Sequence, residues 1–184
     1  MRIFQEQVTN ELIEVLNEGG VAVLRTDTLY GVVARADDEK AVGHVYKIKG
    51  RDGDKSPIIL ISSIEQLYDQ PSAVNREFLD TVWPGKVSVI LPSENAPKWI
   101  RRENKSVAYR LPADKSLRLL IEKTGPLIAP SANPQGEMPA MSISQAIKYF
   151  ADKVDVYVDG GTVEDTSPSQ LIRIMTDGTT ERLR

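Results

Sequence analysis

Short apolar runs alternate with amphipathic segments along this chain, which is the pattern of an α/β domain. From 8 to 18 the apolar residues recur at helical spacing, so this segment predicts a helix, which Gly19 and Gly20 end. The next run, 21–24, is entirely apolar and predicts a buried strand. Further helices are predicted at 39–48, 72–82, 114–123 and 142–150. Further strands are predicted at 32–34, 57–61, 87–91, 107–111, 127–129, 154–158, 171–175 and in the final run to Arg184.

Capping and turn residues support several of these boundaries. Asp114 can cap the helix that follows it, and Ser142 with Gln145 three residues later matches a capping box. The pair Asp177 and Gly178 is a hairpin signal between the last two strands. Because a tight hairpin joins antiparallel strands, we expect a mixed sheet rather than a purely parallel one.

Composition narrows the chemistry. The 184 residues suit a single domain, taken as 1–184, and no stretch approaches the roughly 20 apolar residues of a membrane helix. The absence of cysteine excludes disulfides, thiolate catalysis and finger-type zinc sites, and the single histidine, His44, disfavours a multi-histidine metal site. With a net charge of −3, bulk charge provides no general attraction to nucleic acid. We expect a cytoplasmic protein, because the N-terminal segment lacks the pattern of a secretory signal.

A dense polar segment follows the first predicted strand. Within six residues it carries Arg25, Thr26, Asp27, Thr28 and Tyr30. Two hydroxyls, a carboxylate and a phenol packed this closely can hold the amine and the hydroxyl of a small zwitterion. The alternative is a Thr/Asp turn with a packed tyrosine, since the same residues also form turns.

A basic segment follows the helix predicted at 39–48. It places Lys47, Lys49, Arg51 and Lys55 within nine residues of an acidic protein, and its glycines allow a ligand to approach the backbone. Lysine binds a polyphosphate as a point charge and arginine as a planar fork, although the spacing is not that of a P-loop. The alternative is favourable basic charge at a helix C-terminus, followed by a solvated loop.

Later segments carry an arginine and two polar loops. Arg110 lies in a strand-like run whose two-residue period leaves both faces open: inward it needs an anionic partner, and outward it is solvated. Ser131 and Asn133 lie between prolines in a stiff loop whose hydroxyl and amide suit a ligand with many acceptors. A related polar loop, 159–161 with 166–169, ends on Ser169. For both loops the alternative is ordinary turn chemistry.

In their order and spacing these segments resemble the YrdC family, the threonylcarbamoyl-AMP synthases, over essentially the full length of the chain. The matching segments are 19–20, 26–31, 49–51, 55–57, 83–85, 109–112, 130–133, 159–161 and 168–169. The resemblance implies a YrdC-like α/β fold, with a twisted mixed sheet and flanking helices around a concave basic cavity. The positions that depart from the family's usual residues are Arg25, Ser88, Gln135 and Gln170.

The resemblance also implies a reaction and its residues. L-threonine, bicarbonate or CO₂ and ATP condense to threonylcarbamoyl-AMP and pyrophosphate, for the threonylcarbamoyl-adenosine modification of tRNA. The residues implied in catalysis are Lys49, Arg51 and Arg110. Those implied in ATP binding are Lys49, Arg51, Lys55, Ser131, Asn133 and Arg184. Those implied in threonine binding are Thr26, Tyr30, Arg110 and Ser169. No protein ligand for a metal is expected, because Mg²⁺ should ride on the ATP phosphates, with Asp27 and Asp159 as fallback ligands.

The resemblance also implies partners for the reaction, and two alternative functions are left open. We expect the product to pass to the tRNA-modifying threonylcarbamoyl-transfer machinery; direct RNA binding is left open, and no membrane partner is expected. One alternative is a non-catalytic RNA-binding module that uses the basic cavity, which the acidic net charge disfavours. A second is a carbamoyl-adenylate enzyme, as in related domains of hydrogenase maturation proteins, which occur in longer chains with zinc-finger-like segments.

Overall fold

The computed structural model of the chain describes residues 2–50, 56–101, 105–165, 167–175 and 177–184. The helices are α1 (Asn10–Asn17), α2 (Glu39–Lys49), α3 (Ala73–Val82), α4 (Lys98–Arg101), α5 (Lys115–Thr124) and α6 (Ile143–Phe150), with a 3₁₀ turn at Ile64–Gln66. The strands are β1 (Arg2–Phe4), β2 (Ala22–Arg25), β3 (Tyr30–Arg35), β4 (Ile58–Leu60), β5 (Val87–Pro92), β6 (Ser106–Arg110), β7 (Leu127–Ile128), β8 (Val156–Val158), β9 (Gln170–Ile174) and β10 (Thr180–Arg182).

The strands in the described residues form one mixed sheet in the order β1-β8-β2-β3-β7-β4-β6-β5-β9-β10. Parallel pairs, such as β4 with β6 and β5 with β9, lie beside antiparallel pairs, such as β2 with β3 and β5 with β6. The predicted α/β fold with a mixed sheet and flanking helices is therefore confirmed. Of the helices described, none has the length and apolar character required to cross a bilayer.

The helices cover both faces of the sheet, as β2 illustrates. Its side chains alternate between the faces because successive residues of a strand point in opposite directions. Ala22 and Leu24 belong to a core cluster that includes Leu12 of α1 and Leu120 of α5. Val23, between them, belongs to the larger cluster on the other face, which includes residues of α2 and α6. The apolar part of β2 is consequently buried on both sides, which explains why this strand has no polar alternation.

Most predicted helices and strands are confirmed to within one or two residues, and local hydrogen bonds explain several differences. Helix α1 begins at Asn10 rather than at residue 8, because Thr9 Oγ1 accepts a hydrogen bond from Leu12 N (3.1 Å) and caps the helix there. The capping box predicted for α6 is wrong in one of its two bonds. Ser142 Oγ accepts from Gln145 N (3.3 Å), but Gln145 Oε1 accepts from Met141 N (3.0 Å) instead of from the capping residue.

Among the elements that the structure describes, three were not predicted: β1, α4 and the 3₁₀ turn. Strand β1 has only three residues and pairs in parallel with β8, about 150 positions later in the chain. Segments this short carry too few positions for a period to be visible, so their conformation depends on distant partners.

The sheet brings the loops after β2 and β7 together. The chain leaving β7 continues alongside the start of β3, where Gly31 forms an isolated antiparallel bridge with Ser131. A Cβ atom added at Gly31 would lie 3.3 Å from Thr26 Cγ2 and 3.5 Å from Pro130 O. The glycine thus permits a close approach of these loops, which form one end of the cavity described next.

Candidate active site

A cavity of about 990 Å³ opens where these loops meet, against strands β5, β6 and β9. The hydroxyl and cationic residues described in its lining are Thr26, Thr28, Tyr30, Ser56, Lys105, Ser106, Arg110, Ser131, Ser169, Arg173 and Arg184. No aspartate or glutamate occurs among the described lining residues, so the walls favour anionic ligands. Small-molecule sites span roughly 300–1,000 Å³, and this volume can accommodate a nucleotide beside an amino acid.

The turn between β2 and β3 is organised by the hydroxyl of Thr26, which is buried. Thr26 Oγ1 donates to Leu29 O (2.8 Å), accepts from Thr28 N (3.2 Å) and lies 3.1 Å from Thr28 Oγ1. Arg110 Nη2 approaches the same oxygen at 3.4 Å. Because a hydroxyl has one proton and two lone pairs, Thr26 is fully occupied by protein partners. The Thr26 hydroxyl therefore stabilises the turn between β2 and β3. Thr28 and Arg110 belong to the same hydrogen-bond network and line the cavity beside it.

Arg110 lies inward and has the anionic partner that an inward arginine needs. Its Nη2 is 2.9 Å from Asp27 Oδ1, and each side chain is only 5% exposed. The contact is an ion pair by distance, but both Asp27 carboxylate oxygens and Arg110 Nε lack a hydrogen-bond partner among the described residues. Burial raises the pKa of Asp27, which the charge of Arg110 opposes. Burial also lowers the pKa of Arg110, against the effect of Asp27.

Tyr30 fixes a second loop through its phenol. The buried hydroxyl donates to Gly161 O (2.7 Å) and accepts from Gly160 N (3.0 Å), so one side chain satisfies two backbone groups. Arg25 reinforces the same loop by donating from Nη1 to Gly160 O (2.9 Å). Burial raises the pKa of Tyr30, so its phenol stays protonated as the donor at neutral pH. Tyr30 therefore both lines the cavity and joins the start of β3 to the 160–161 loop.

Lys49 ends α2 against the loop that follows β7. Its ammonium group is buried and donates to the backbone oxygens of Ser131 and Asn133, the second at 2.6 Å. Ser131 Oγ donates to Asn133 Oδ1 (2.6 Å), and Asn133 Nδ2 donates to Glu137 O (2.8 Å). The loop is thus stiffened by its own side chains and by a cation from α2.

Ser169 lies just before β9 and meets the last residue of the chain. Arg184 donates from Nε to Ser169 O (3.0 Å) and from Nη2 to Ser169 Oγ (3.5 Å). Behind the cavity wall, Ser88 Oγ lies 2.9 Å from Ser169 Oγ, and both serines are buried. The positive charge of Arg184 also contributes to lowering the pKa of Arg110, as expected for two cations facing one cavity.

The family model for Sua5, YciO and YrdC proteins, described as telomere recombination, matches residues 14–184. The chain belongs to this family. A threonylcarbamoyl-AMP synthase of Marinobacter nauticus is 36% identical over 165 residues, covering 86% of this chain and 86% of that protein. The crystal structure of Pyrococcus abyssi Sua5 complexed with L-threonine has a TM-score of 0.87 at 31% identity. The match covers 100% of this chain and 56% of that one, so the chain spans little more than half of the Pyrococcus protein. E. coli YciO, with a TM-score of 0.86, 21% identity and coverage of 100% and 95%, shares the fold.

In this member of the Sua5/YciO/YrdC family, one cavity collects most of the predicted site residues that the structure describes. The predicted residues in its lining are Thr26, Tyr30, Arg110, Ser131, Ser169 and Arg184. Lys49 and Asn133 are not in the lining, and both instead bond the loop after β7. Arg51 and Lys55 were also predicted, and they lie outside the described residues.

Sequence reasoning missed several polar residues of the lining. Thr28 was noted only as part of the turn, although it lines the cavity beside Thr26. Lys105 and Arg173 add positive charge to the wall. Leu171 and Arg173 of β9 and Met175, which follows the strand, recur at every second position and line the cavity, and this spacing is the signal that indicates an inward arginine.

The described residues provide no evident site for a bound Mg²⁺. They contain no group of three or more His, Cys, Asp or Glu side chains that could hold a metal ion. Of the fallback ligands, Asp27 pairs with Arg110, and Asp159 Oδ1 accepts from Gly161 N (2.9 Å). Mg²⁺ prefers carboxylates and phosphates as ligands, and the described lining contains no side-chain carboxylate, so these residues do not offer a ligand set for a resident ion.

Proposed function

We propose that this chain is a threonylcarbamoyl-AMP synthase that condenses L-threonine, bicarbonate and ATP. The observation that carries the proposal is the convergence of Thr26, Arg110, Ser131 and Ser169 on one cavity with no described acidic residue. Membership of the family supports it, as do the 36% identity with the Marinobacter nauticus synthase and the likeness to Sua5 bound to L-threonine.

The reaction joins three anionic or zwitterionic substrates without needing a protein nucleophile. The threonine amine attacks bicarbonate, forming an N–C bond and releasing water, and the product is a carbamate anion. A carbamate oxygen then attacks the α-phosphorus of ATP, and the bond to pyrophosphate breaks as the acyl-phosphate bond forms. Such a sequence requires positioning and neutralisation of charge above all. A cation-lined cavity supplies both.

We assign Arg110 to the centre of this chemistry. Its guanidinium is held by Asp27 and by Thr26, so its position in the wall is set before any ligand arrives. We assign to it the neutralisation of the threonine carboxylate or of the α-phosphate. Ser169 is assigned to contact threonine, whereas Thr26 and Tyr30, whose hydroxyls are engaged within the protein, form the wall of the proposed threonine pocket and fix its loops.

The proposed nucleotide side combines Ser131, Asn133 and Arg184 with the basic segment after α2. Lys49, Arg51 and Lys55 are assigned to the triphosphate. For Lys49 this role requires its ammonium to exchange at least one backbone oxygen of the 131–133 loop for a phosphate oxygen. The loop position and phosphate binding would then be coupled. Mg²⁺ enters with ATP as part of the substrate, which remains a prediction.

Location and partners are further parts of the proposal. We assign the reaction to the cytoplasm because it uses ATP and its product is destined for tRNA. There the product passes to the threonylcarbamoyl-transfer machinery. The rival RNA-binding module gains no support from the relatives, which are named as synthases. Substrate dependence distinguishes the carbamoyl-adenylate alternative from the proposed function. A carbamoyl-adenylate enzyme releases pyrophosphate only with carbamoyl phosphate, whereas the proposed synthase requires threonine.

The direct test is to incubate the protein with ATP, Mg²⁺, bicarbonate and L-threonine, then detect the adenylate by mass spectrometry and the released pyrophosphate. Lys49→Ala and Arg51→Ala are each expected to abolish threonine-dependent release. Lys47→Ala is the matched control, because Lys47 is exposed on the same turn of α2 and is expected to leave activity unchanged. Wild-type release in the Lys49 or Arg51 variant would refute the triphosphate assignment, and release without threonine would refute the proposed reaction.

A further inference from the structure

We propose that Ser88 is a positioning residue. The buried Ser88 hydroxyl donates a hydrogen bond to Ser169 Oγ, so the Ser169 hydroxyl donates its own hydrogen bond into the cavity. The inference rests on the proposed function, because it concerns the residue assigned to threonine. Ser88 is not in the cavity lining. Its hydrogen bond to Ser169 determines which kind of ligand atom the Ser169 hydroxyl can bind.

The two serine hydroxyls contact each other at the back of the cavity wall. Ser88 is on β5, opposite Leu171 of β9 in the parallel register, two residues beyond Ser169. Ser88 is 0% exposed and Ser169 3%, and their hydroxyl oxygens are 2.9 Å apart. Ser169 lines the cavity, whereas Ser88 lies beneath it.

The direction of this hydrogen bond follows from which proton would otherwise lack an acceptor. In the described part of the chain, Ser169 Oγ is the hydrogen-bond partner of Ser88 Oγ, and no second one occurs. If Ser169 were the donor, the Ser88 proton would point into a dry core with nothing to accept it. An unsatisfied buried donor costs more free energy than an ordinary hydrogen bond contributes. Ser88 is therefore the donor.

Ser169 then has a defined polarity. Of its two lone pairs, one accepts from Ser88 and the other faces Arg184 Nη2 at 3.5 Å. Its own proton remains, and the open side of the residue is the cavity. A hydroxyl that can only donate, next to an arginine, suits an anionic acceptor such as the carboxylate of an amino acid. It discriminates against a ligand group that also needs to donate.

The consequence is a loss of preorganisation when the Ser88 proton is removed. In Ser88→Ala the Ser169 hydroxyl regains a free lone pair and can rotate away from the ligand. We expect the Kd for L-threonine to rise about three- to tenfold, the range for loss of one well-placed hydrogen bond. ATP affinity is expected to stay within about twofold, because the change acts on the threonine side.

The experiment measures L-threonine binding by calorimetry, together with KM and kcat for pyrophosphate release. The decisive variants are Ser88→Thr and Ser88→Val, which have nearly the same shape but differ in the hydroxyl. Threonine affinity close to wild type in Ser88→Thr, but weakened in Ser88→Val and Ser88→Ala, supports the proposal. Ser93→Ala is the control: this buried serine of the neighbouring turn bonds Asp69, so its loss lowers the thermal midpoint but leaves threonine affinity unchanged.

The failures of the two proposals are distinguishable. If Ser169→Ala weakens threonine binding while Ser88→Ala binds like wild type, the positioning role is overturned and the synthase proposal stands. Equal affinities of Ser88→Thr and Ser88→Val also overturn it, since a packing effect alone would produce that result. If the wild-type protein neither binds threonine nor forms the adenylate, the proposed function and the role of Ser88 are both overturned.

Discussion

Replacing Arg110 with methionine tests the buried ion pair at the centre of the cavity. Methionine retains much of the arginine stem but removes the charge, so Asp27 remains in a site where it is 5% exposed and has no hydrogen-bond partner in the described residues. Breaking a buried pair by removing one partner costs about 3–5 kcal/mol. The cavity can admit water beside the pair, so we expect the lower end of this range, about 3 kcal/mol at pH 8.

The loss in Arg110→Met should depend on pH with a defined sign. Burial raises the pKa of Asp27 in the folded protein, and the charge of Arg110 is the largest of the effects that oppose this rise. Without the arginine, the folded state holds the Asp27 proton more tightly than the unfolded chain does. The stabilising contribution of this proton is fully present below the pKa of Asp27 in the unfolded chain. It is lost as the pH rises through the pKa of Asp27 in the folded protein. The variant should thus recover on going from pH 8 to pH 5, by at most about 1.4 kcal/mol per pH unit for one proton.

Urea denaturation at pH 5 and pH 8 measures both quantities. For a domain of this size, 1 kcal/mol corresponds to about 2–4 °C in Tm, so thermal melts should show a loss of roughly 6–12 °C at pH 8. The double variant Asp27→Asn/Arg110→Met removes the stranded charge, so it should regain most of the lost stability and show no extra pH dependence. Threonine-dependent pyrophosphate release should remain abolished in both variants at either pH.

A free energy of unfolding of Arg110→Met within about 1 kcal/mol of wild type at both pH values, which an exposed pair would give, would contradict a buried ion pair. Absence of recovery on adding Asp27→Asn to Arg110→Met would also contradict it, because the two losses would then be independent. Full pyrophosphate release by Arg110→Met at pH 5 would leave the ion pair a structural feature and remove Arg110 from the reaction.

Three further results are expected. Tyr30→Phe should lower the free energy of unfolding by about 1–2 kcal/mol in urea denaturation, because both loop hydrogen bonds of the phenol are lost; wild-type stability would contradict this. Leu120→Ala should cost about 2–5 kcal/mol, whereas Leu119→Ala on the same helix, 43% exposed, should stay within about 0.5 kcal/mol; equal losses would contradict the assigned core. Burial raises the pKa of Tyr157 to about 12, so the folded state retains a proton that the unfolded chain releases near pH 10. Stability should consequently fall as the pH rises from 10 to 12, and the fall should be smaller in Tyr157→Phe.

The main elements could be predicted because their patterns are local. Helix α1 carries its apolar residues at helical spacing, and β2 begins with three apolar residues before Arg25, so neither needed knowledge of its neighbours. Strand β1 could not be predicted in this way. It exists because Arg2–Phe4 meets β8, and a pairing over this sequence distance leaves no mark in three residues.

The same distinction applies to the site. The sequence indicated which polar and charged residues belong to the site, but it did not indicate which of them contact each other. Arg110 pairs with Asp27, 83 positions earlier in the chain, and no local pattern in the sequence reveals a contact over that distance. A basic helix end at Lys49 indicates an anion from sequence, yet its partners in the structure are backbone oxygens of the 131–133 loop. Only the fold determines which of these contacts forms.

The hydrogen bonds behind the cavity give its walls opposite polarities. Ser131 has donated its proton to Asn133 Oδ1, so toward a ligand it offers lone pairs. In our proposal Ser169 Oγ accepts a hydrogen bond from Ser88, so its own hydroxyl proton is left to donate into the cavity. The first wall suits the hydroxyl and amino groups of a nucleoside, and the second suits a carboxylate. Under the proposed function, an amino acid and a nucleotide that enter this cavity would be sorted by the direction of each hydrogen bond as well as by charge, and the carbamate and the α-phosphate would meet between the two walls, next to Arg110.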